Sequence, residues 1–314
     1  MLKIRPFTEG PDDEAFVRLY NAGFSDYEDN RKMTLEELKK TRKAPSYDPA
    51  GVLLAESDGE VAGMIEASVD KYREDKRGFV RSLTVFPQFR GRGIAKKLVG
   101  KALESLKDRG MKAAESWAQT DRKMCMHIYE SFGFKQVRAI DLMKRTLDNI
   151  PCGIGENAEA TMRQMSTRDE DMQLLNMLDN EAFKEHPNFR PRTVEETKYA
   201  VLDMPWYEEQ NIFFAMVENE PAGFVNAGID VGLNREKNLK YGWVLDIGVL
   251  KPYRRKGVGA HLMVHAMHVL RDKGMADALL YVDETNPTKA IKLYEKVGFK
   301  VARKSIIYEL ALAQ

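Results

Sequence analysis

The chain has 314 residues, 43% apolar and 31% charged, with 49 Lys and Arg against 48 Asp and Glu for a formal net charge of +1. So close a balance excludes nucleic-acid binding that rests on bulk positive charge and leaves any basic site to be local. Two cysteines, Cys125 and Cys152, exclude a disulfide framework; with no apolar leader or membrane-length run, the expectation is a cytoplasmic protein without a membrane partner.

In chain order, "LKIRPF" reads as a short first strand, and Thr34 three residues before Glu37 is a capping-box signature for a helix start. "GVLLAES", followed by the polar turn Ser57–Glu60, reads as the first arm of a hairpin. "VRSLTVF" is a β-branched, apolar run, hence a buried strand. A helix follows with Ile94, Leu98, Ala102 and Leu106 on one face, closed by Gly110. The second half repeats the series: "ATMRQM", Thr193 before Glu196, "NIFFAMVE" with the turn Glu218–Pro221, "WVLDIGVL", then Val258, Leu262, Ala266 and Leu270, closed by Gly274.

The echo is residue for residue. "NAGFSDY" matches "NEAFKEH" at an offset of 159, "GEVAGMIEA" matches "NEPAGFVNA" at 160, Arg90 matches Arg254 at 164, and "YESFGFK" matches "YEKVGFK" at 165. The offset grows only between elements, where insertions are tolerated. The chain is therefore read as a duplicated domain: residues 1–147, a Pro- and Gly-containing linker over 148–160, and residues 161–314.

Each copy carries a glycine turn between the buried strand and the helix, "PQFRGRGIAKKL" and "PYRRKGVGAHL". Neither has the Gly-Lys-Ser/Thr of a Walker loop, and G-x-G-x-x-G/A fails in both, since its last position falls on Lys96 and Leu262. Both satisfy R-x-x-G-x-G/A, through Arg90, Gly93 and Ala95 and through Arg254, Gly257 and Gly259. Small residues there let an anion reach helix N–H groups that have no intrahelical partner. The bland alternative, a tight turn beside a solvated charge run, weakens when the pattern occurs twice in the same context.

These motifs, with a later Tyr before Gly-Phe, resemble the GNAT superfamily of N-acetyltransferases over nearly the whole chain. The stretch "ALLYVDETN…LYEKVGF" also resembles the C-terminal half of mycothiol synthases, themselves tandem GNAT proteins, without implying mycothiol. The resemblance implies an α/β fold of two tandem domains, each a mixed, mostly antiparallel sheet flanked by helices. It implies acetyl-CoA as the cofactor, its pyrophosphate held by Arg90, Gly91, Arg92, Gly93 and Ala95, or by Arg254, Arg255, Lys256, Gly257, Val258 and Gly259. Strand backbone around Leu83–Val85 and Ile247–Val249 would contact the pantetheine, and Asn286 matches a family asparagine where the first copy has Asp121.

Acetyl transfer to an amine needs a neutral amine, a donor for the oxyanion and a proton for the departing thiolate. The family's proton donor carries over to Tyr129 and Tyr294; the alternative for each is packing of the last helix. The family's glutamate base does not carry over, because Phe79 and Trp243 stand there. Asp246, Asp283 and Glu284, or Glu66 and Glu115 in the first copy, are the replacements within reach, beside a water relay. Strict alternation puts Asp246 on the face opposite Trp243, Leu245 and Ile247, so its use requires a bulge.

Other features take bland readings. His261 and His265 lack the Glu of HExxH and a third ligand, so no metal is expected. Cys125 reads as a buried thiol on the face of Tyr129, "KKTRKAP" as a solvated helix end, and "MPWYEEQ" as either an acceptor-pocket wall or a core cap. The expected function is transfer of acetyl to a primary amine of a small molecule or peptide, with the C-terminal copy catalytic. The alternative is a non-catalytic acyl-CoA-binding protein, which the missing base at Phe79 and Trp243 favours.

Overall fold

The structure, a computed structural model, describes residues 2–155, 158–186 and 188–312; residues 156 and 157 of the linker lie outside it. The chain forms two compact units, residues 1–138 with 305–314, and residues 139–304.

Unit one contains β1 (Leu2–Pro6), α1 (Asp13–Phe24), α2 (Leu35–Thr41), β2 (Val52–Ser57), β3 (Glu60–Val69), β4 (Arg77–Val85), α3 (Ile94–Asp108), β5 (Ala113–Gln119) and α4 (Lys123–Ser131). The strand β6 (Lys135–Thr146) leads on to unit two, which holds β7 (Thr161–Gln164), α5 (Asp169–Phe183), α6 (Val194–Lys198), β8 (Glu209–Val217) and β9 (Glu220–Ile229). It continues with α7 (Val231–Lys237), β10 (Tyr241–Val249), α8 (Val258–Asp272), β11 (Asp277–Asp283) and α9 (Ala290–Lys296), and β12 (Lys300–Ala311) ends the series.

The sheet of unit one runs β1-β2-β3-β4-β5-β12 and that of unit two β6-β11-β10-β9-β8-β7. Each is antiparallel but for one parallel pair, β4 with β5 and β10 with β11. The repeat boundary and the unit boundary do not coincide, because the terminal strands are exchanged. Ser305–Ala311 of β12 pair with Gln119–Ala113 in unit one, and Ile140–Thr146 of β6 pair with Asp283–Asp277 in unit two. Alternation alone cannot specify this, since it sets a strand's faces and not which sheet accepts its edge.

Local chemistry matches the sequence closely. Thr34 Oγ1 accepts from the Glu37 N–H at 3.2 Å while Glu37 accepts from the Thr34 N–H at 2.7 Å, and Thr193 with Glu196 repeats the box at 3.2 and 2.9 Å. Both hairpins turn through paired positive φ values, 56° and 88° at Asp58 and Gly59, 52° and 66° at Glu218 and Asn219, the twist that suits a two-residue hairpin. Ile94, Leu98, Ala102 and Leu106 of α3, and Val258, Leu262, Ala266 and Leu270 of α8, are all buried against their sheets. Each such leucine contributes about 1.5–3 kcal/mol by leaving water. Among the described residues the helix α7 has no counterpart in unit one; Asp230 caps it by accepting from Leu233 N–H at 2.7 Å.

Candidate active site

In unit two the parallel pairing of β10 with β11 covers Tyr241–Trp243 against Asp277–Leu279. In unit one β4 and β5 pair over Arg77–Phe79 and Ala113–Glu115. Beyond these residues no further β10–β11 or β4–β5 partners occur among the described residues, so the edges carrying Leu83–Val85 and Ile247–Val249 have no neighbouring strand on that side.

Each of these strand ends leads on to its glycine turn. Gly93 and Gly257 stand at the helix starts with φ of 75° and 84°, a region in which a side chain is strained. The N–H groups of Ile94, Ala95 and Lys96, and of Val258, Gly259 and Ala260, precede the first helical bonds, Lys97 N–H to Gly93 O and His261 N–H to Gly257 O. Gly91 also has positive φ (78°), and its counterpart Arg255 holds the same conformation at 66°. Arg92, Arg255 and Lys256 are exposed beside these turns.

The lead arginines are tied back to the strands. Arg90 Nε donates to Val85 O and Arg254 Nε to Val249 O, each at 3.0 Å. Arg254 also donates to Ala182 O at 3.0 Å and pairs with Glu185, whose carboxyl Lys251 and Arg254 hold down to about 2. The two turns differ in their surroundings. A Cβ on Gly91 or Gly93 would meet nothing within 4 Å, whereas one on Gly257 would lie 3.4 Å from Ala158 Cβ in the linker. One on Gly155 would fall 2.5 Å from His261 N, so the linker lies against the first turn of α8.

The candidate bases sort by their partners. Glu115 is buried between Arg77 (2.8 Å) and Arg138 (3.0 Å). Glu284 is exposed and paired with Lys304, and Asp283 accepts from Thr285 N–H at 2.9 Å. Glu66 stands in register with Arg81. Asp246 differs from all of these. The β9–β10 register slips between Val244 and Asp246, so the bulge that strict alternation lacked is present. Leu245 and Asp246 both line one cavity, of about 280 Å³.

That cavity is walled by Leu175, Val201, Met204, Phe224 and Leu245 and carries Asp179, Arg192, Gln210, Asn226 and Asp246. Met204 and Tyr207 of "MPWYEEQ" line it, which resolves that segment as a pocket wall. Burial raises the Asp246 carboxyl to about 6, opposed by the Arg192 charge and reinforced by Asp179. Tyr294 is buried, and burial together with the Asp246 charge pushes its phenol up, so it stays protonated at neutral pH.

Unit one lacks this set. The positions matching Leu245 and Asp246 at the offset of 164 are Arg81 and Ser82. Arg81 lies over the Phe79 ring at 4.5 Å from its centroid. Tyr129 is buried, its phenol raised mainly by desolvation. Ser116 Oγ donates to Val80 O at 2.8 Å. Asp121 is exposed beside Arg122 at 3.7 Å, while Asn286 Oδ1 closes its own loop by accepting from Thr288 N–H at 2.9 Å. Of the residues that the motifs missed, Asp179 and Arg192 carry no signature of their own. Arg192 stands one position before the capping threonine, which places it beside the cavity.

Two splayed parallel pairs, each followed by a left-handed glycine and an amphipathic helix, define a tandem acetyltransferase architecture. The chain belongs to the acetyltransferase (GNAT) family, whose model matches residues 14–134 and again residues 175–299. Mycothiol acetyltransferase of Thermomonospora curvata is 34% identical over 140 residues, 45% of this chain and 46% of that protein. The chain thus spans less than half of the relatives it matches at this level. The Rhodococcus erythropolis protein of the same name is 27% identical over 248 residues, 76% of this chain and 78% of its own. Two solved structures share the fold across the full length of this chain. One is a GCN5-related N-acetyltransferase from Sphaerobacter thermophilus (TM-score 0.70, 21% identity, 96% of that chain covered). The other is a tandem GNAT protein from the clavulanic acid biosynthesis pathway (TM-score 0.74, 15% identity, 99% covered). Among the described residues no helix is long and apolar enough to cross a membrane, and no cluster of His, Cys, Asp and Glu has the makings of a metal site.

Proposed function

We propose that the protein is an acetyl-CoA-dependent N-acetyltransferase acting on a primary amine, with the chemistry in unit two. The observation that carries this reading is the convergence of Asp246, Tyr294 and the cavity beside the splayed strands. The glycine turn suits an anionic cofactor, since Gly257 opens the helix with N–H groups that have no intrahelical partner and the exposed Arg255 and Lys256 flank it. When bound, acetyl-CoA supplies the acetyl group as a thioester.

Asp246 takes the proton that keeps an ammonium from attacking. A carboxylate at about 6 is ionised at neutral pH yet more basic than an ordinary one. Tyr294 holds its proton and gives it to the departing sulfur. The backbone of Ile247–Val249, on the edge where β11 no longer pairs, orients the cofactor's arm. Unit one, with Ser82 and Arg81 at the corresponding positions, serves as scaffold or as a weaker coenzyme A site.

The test is release of free thiol from acetyl-CoA across an amine panel, with Asp246→Asn and Ser82→Ala compared. Loss in the first variant alone supports the proposal. Equal losses, or turnover that survives Asp246→Asn, would overturn it.

A further inference from the structure

Three charged groups converge on the cavity of unit two with less than full satisfaction. Asp179 is buried, and its nearest cationic partner is Arg192 Nη1 at 3.5 Å, beyond hydrogen-bond length. Asp246 lines the same cavity and feels the charges of both Arg192 and Asp179. Arg192 presents five N–H donors from a half-exposed side chain, pairs loosely with Asp179, and feels the Asp246 and Glu196 charges, and its backbone is fixed. Its N–H donates to Asn180 Oδ1 at 2.8 Å, and its carbonyl accepts from Asn176 and Asn180 at 2.9 and 3.0 Å. The backbone that carries the guanidinium is thus fixed at the cavity rim by its own hydrogen bonds. Arg190, two residues earlier, shows the contrast, since it is fully engaged with Glu196.

A buried charge without a close partner, as at Asp179, is costly, and an incoming ligand can supply the partner, while the Arg192 side chain, 46% exposed, stands open to that ligand at the rim. An ammonium docking between Asp179 and Asp246 gives both carboxylates a donor. In doing so it takes Asp179 away from Arg192. An acceptor that also brings an anion engages all three groups at once, and a planar carboxylate matches the guanidinium fork. The remaining wall is apolar, formed by Leu175, Val201, Met204, Phe224 and Leu245. At about 280 Å³ the cavity lies near the lower end of the range for small-molecule sites, so it takes one compact moiety.

We infer that the acceptor is an α-amino acid-like zwitterion with an apolar side chain, its ammonium between Asp179 and Asp246 and its carboxylate on Arg192. The inference rests on acetyl transfer occurring in unit two. One ammonium proton passes to Asp246, and the nitrogen forms the amide C–N bond as the thioester C–S bond breaks. The sulfur takes the Tyr294 proton, and the second amine proton, released from nitrogen, restores the phenol. The balance is acetyl thioester plus ammonium giving amide, thiol and one proton.

The test compares L-leucine and L-phenylalanine with their amides and with the decarboxylated amines, by thiol release in the intact protein. The expected result is a kcat/KM for each acid roughly 10–100-fold above its amide, the worth of one charge-assisted contact. That ratio should collapse to near unity in Arg192→Gln and be intermediate in Arg192→Lys, which keeps the charge but not the fork. An amide or amine used as well as the acid, or a ratio that survives Arg192→Gln, overturns the inference. A thermal shift with the amino acids alone separates it from the transferase reading. If no acceptor is turned over but L-leucine still stabilises the wild type and not Arg192→Gln, the transferase reading falls and the recognition stands. If thiol is released with other amines and neither amino acid shifts the melt, the recognition falls and the transferase reading stands.

Discussion

Replacing Asp246 with Asn should make the protein more stable and less active, and the gain in stability should depend on pH in a defined window. Burial holds the Asp246 carboxyl at about 6 in the folded chain against an ordinary 3.8. Between those two values the folded state binds more protons at this position than the unfolded state. Stability is therefore lost as pH rises through the window. A shift of about two units at 1.36 kcal/mol each sets an upper value of roughly 3 kcal/mol. Asn cannot ionise and has no such loss. Urea unfolding of both proteins from pH 3.5 to 7.5 should show stabilities that draw together at the acid end. They should separate by roughly 2–3 kcal/mol, in favour of the variant, above pH 6.5. Acetyl transfer should fall about 10²–10⁴-fold in the same variant, and wild-type kcat/KM should drop on acidification through about 6. Parallel stability profiles would refute the reasoning, since they would mean that Asp246 is solvated in the folded state.

Other outcomes follow from the geometry. Tyr294→Phe should lower kcat at least tenfold with little change in acetyl-CoA affinity measured by titration calorimetry, whereas Tyr129→Phe should leave turnover intact. Acetyl-CoA should raise the melting temperature of the wild type, and Gly257→Glu should abolish that rise more completely than Gly93→Glu. Gly155→Val puts a branched side chain at φ 83° where a Cβ already falls 2.5 Å from His261 N. Its melting temperature should drop by roughly 2–4 °C for each kcal/mol of strain, and limited proteolysis should cut the linker faster.

What the sequence could show depended on how local the cause was. Capping boxes, hairpin turns and helix faces are set by neighbours within a few residues, and they stand where Thr34, Asp58–Gly59 and Leu98 place them. Arg90 and Arg254 were legible as a matched pair, but their tethering to Val85 and Val249 needed three-dimensional contact. Asp246 was legible as a candidate and not as a choice, because a bulge is one extra residue against a partner strand that counting along a single strand cannot see. Ser82 became informative only once that bulge set the residue-by-residue comparison. The cavity wall comes from α5, α6, the irregular turn over 199–203 and the strands β8 to β10, elements far apart in sequence. Asp179 and Arg192 meet there without any motif to announce them.

The exchange of β6 and β12 bears on how such a gene can be cut or shortened. Residues 1–147 made alone would carry β6 without β11 and leave the edge of β5 bare; residues 161–314 would have the converse defect. Open edges of that kind recruit other chains, so either half alone should aggregate or pair with its own kind, while the two halves co-expressed should reassemble as complementing fragments. With their terminal strands exchanged, the two copies can be kept or lost only together.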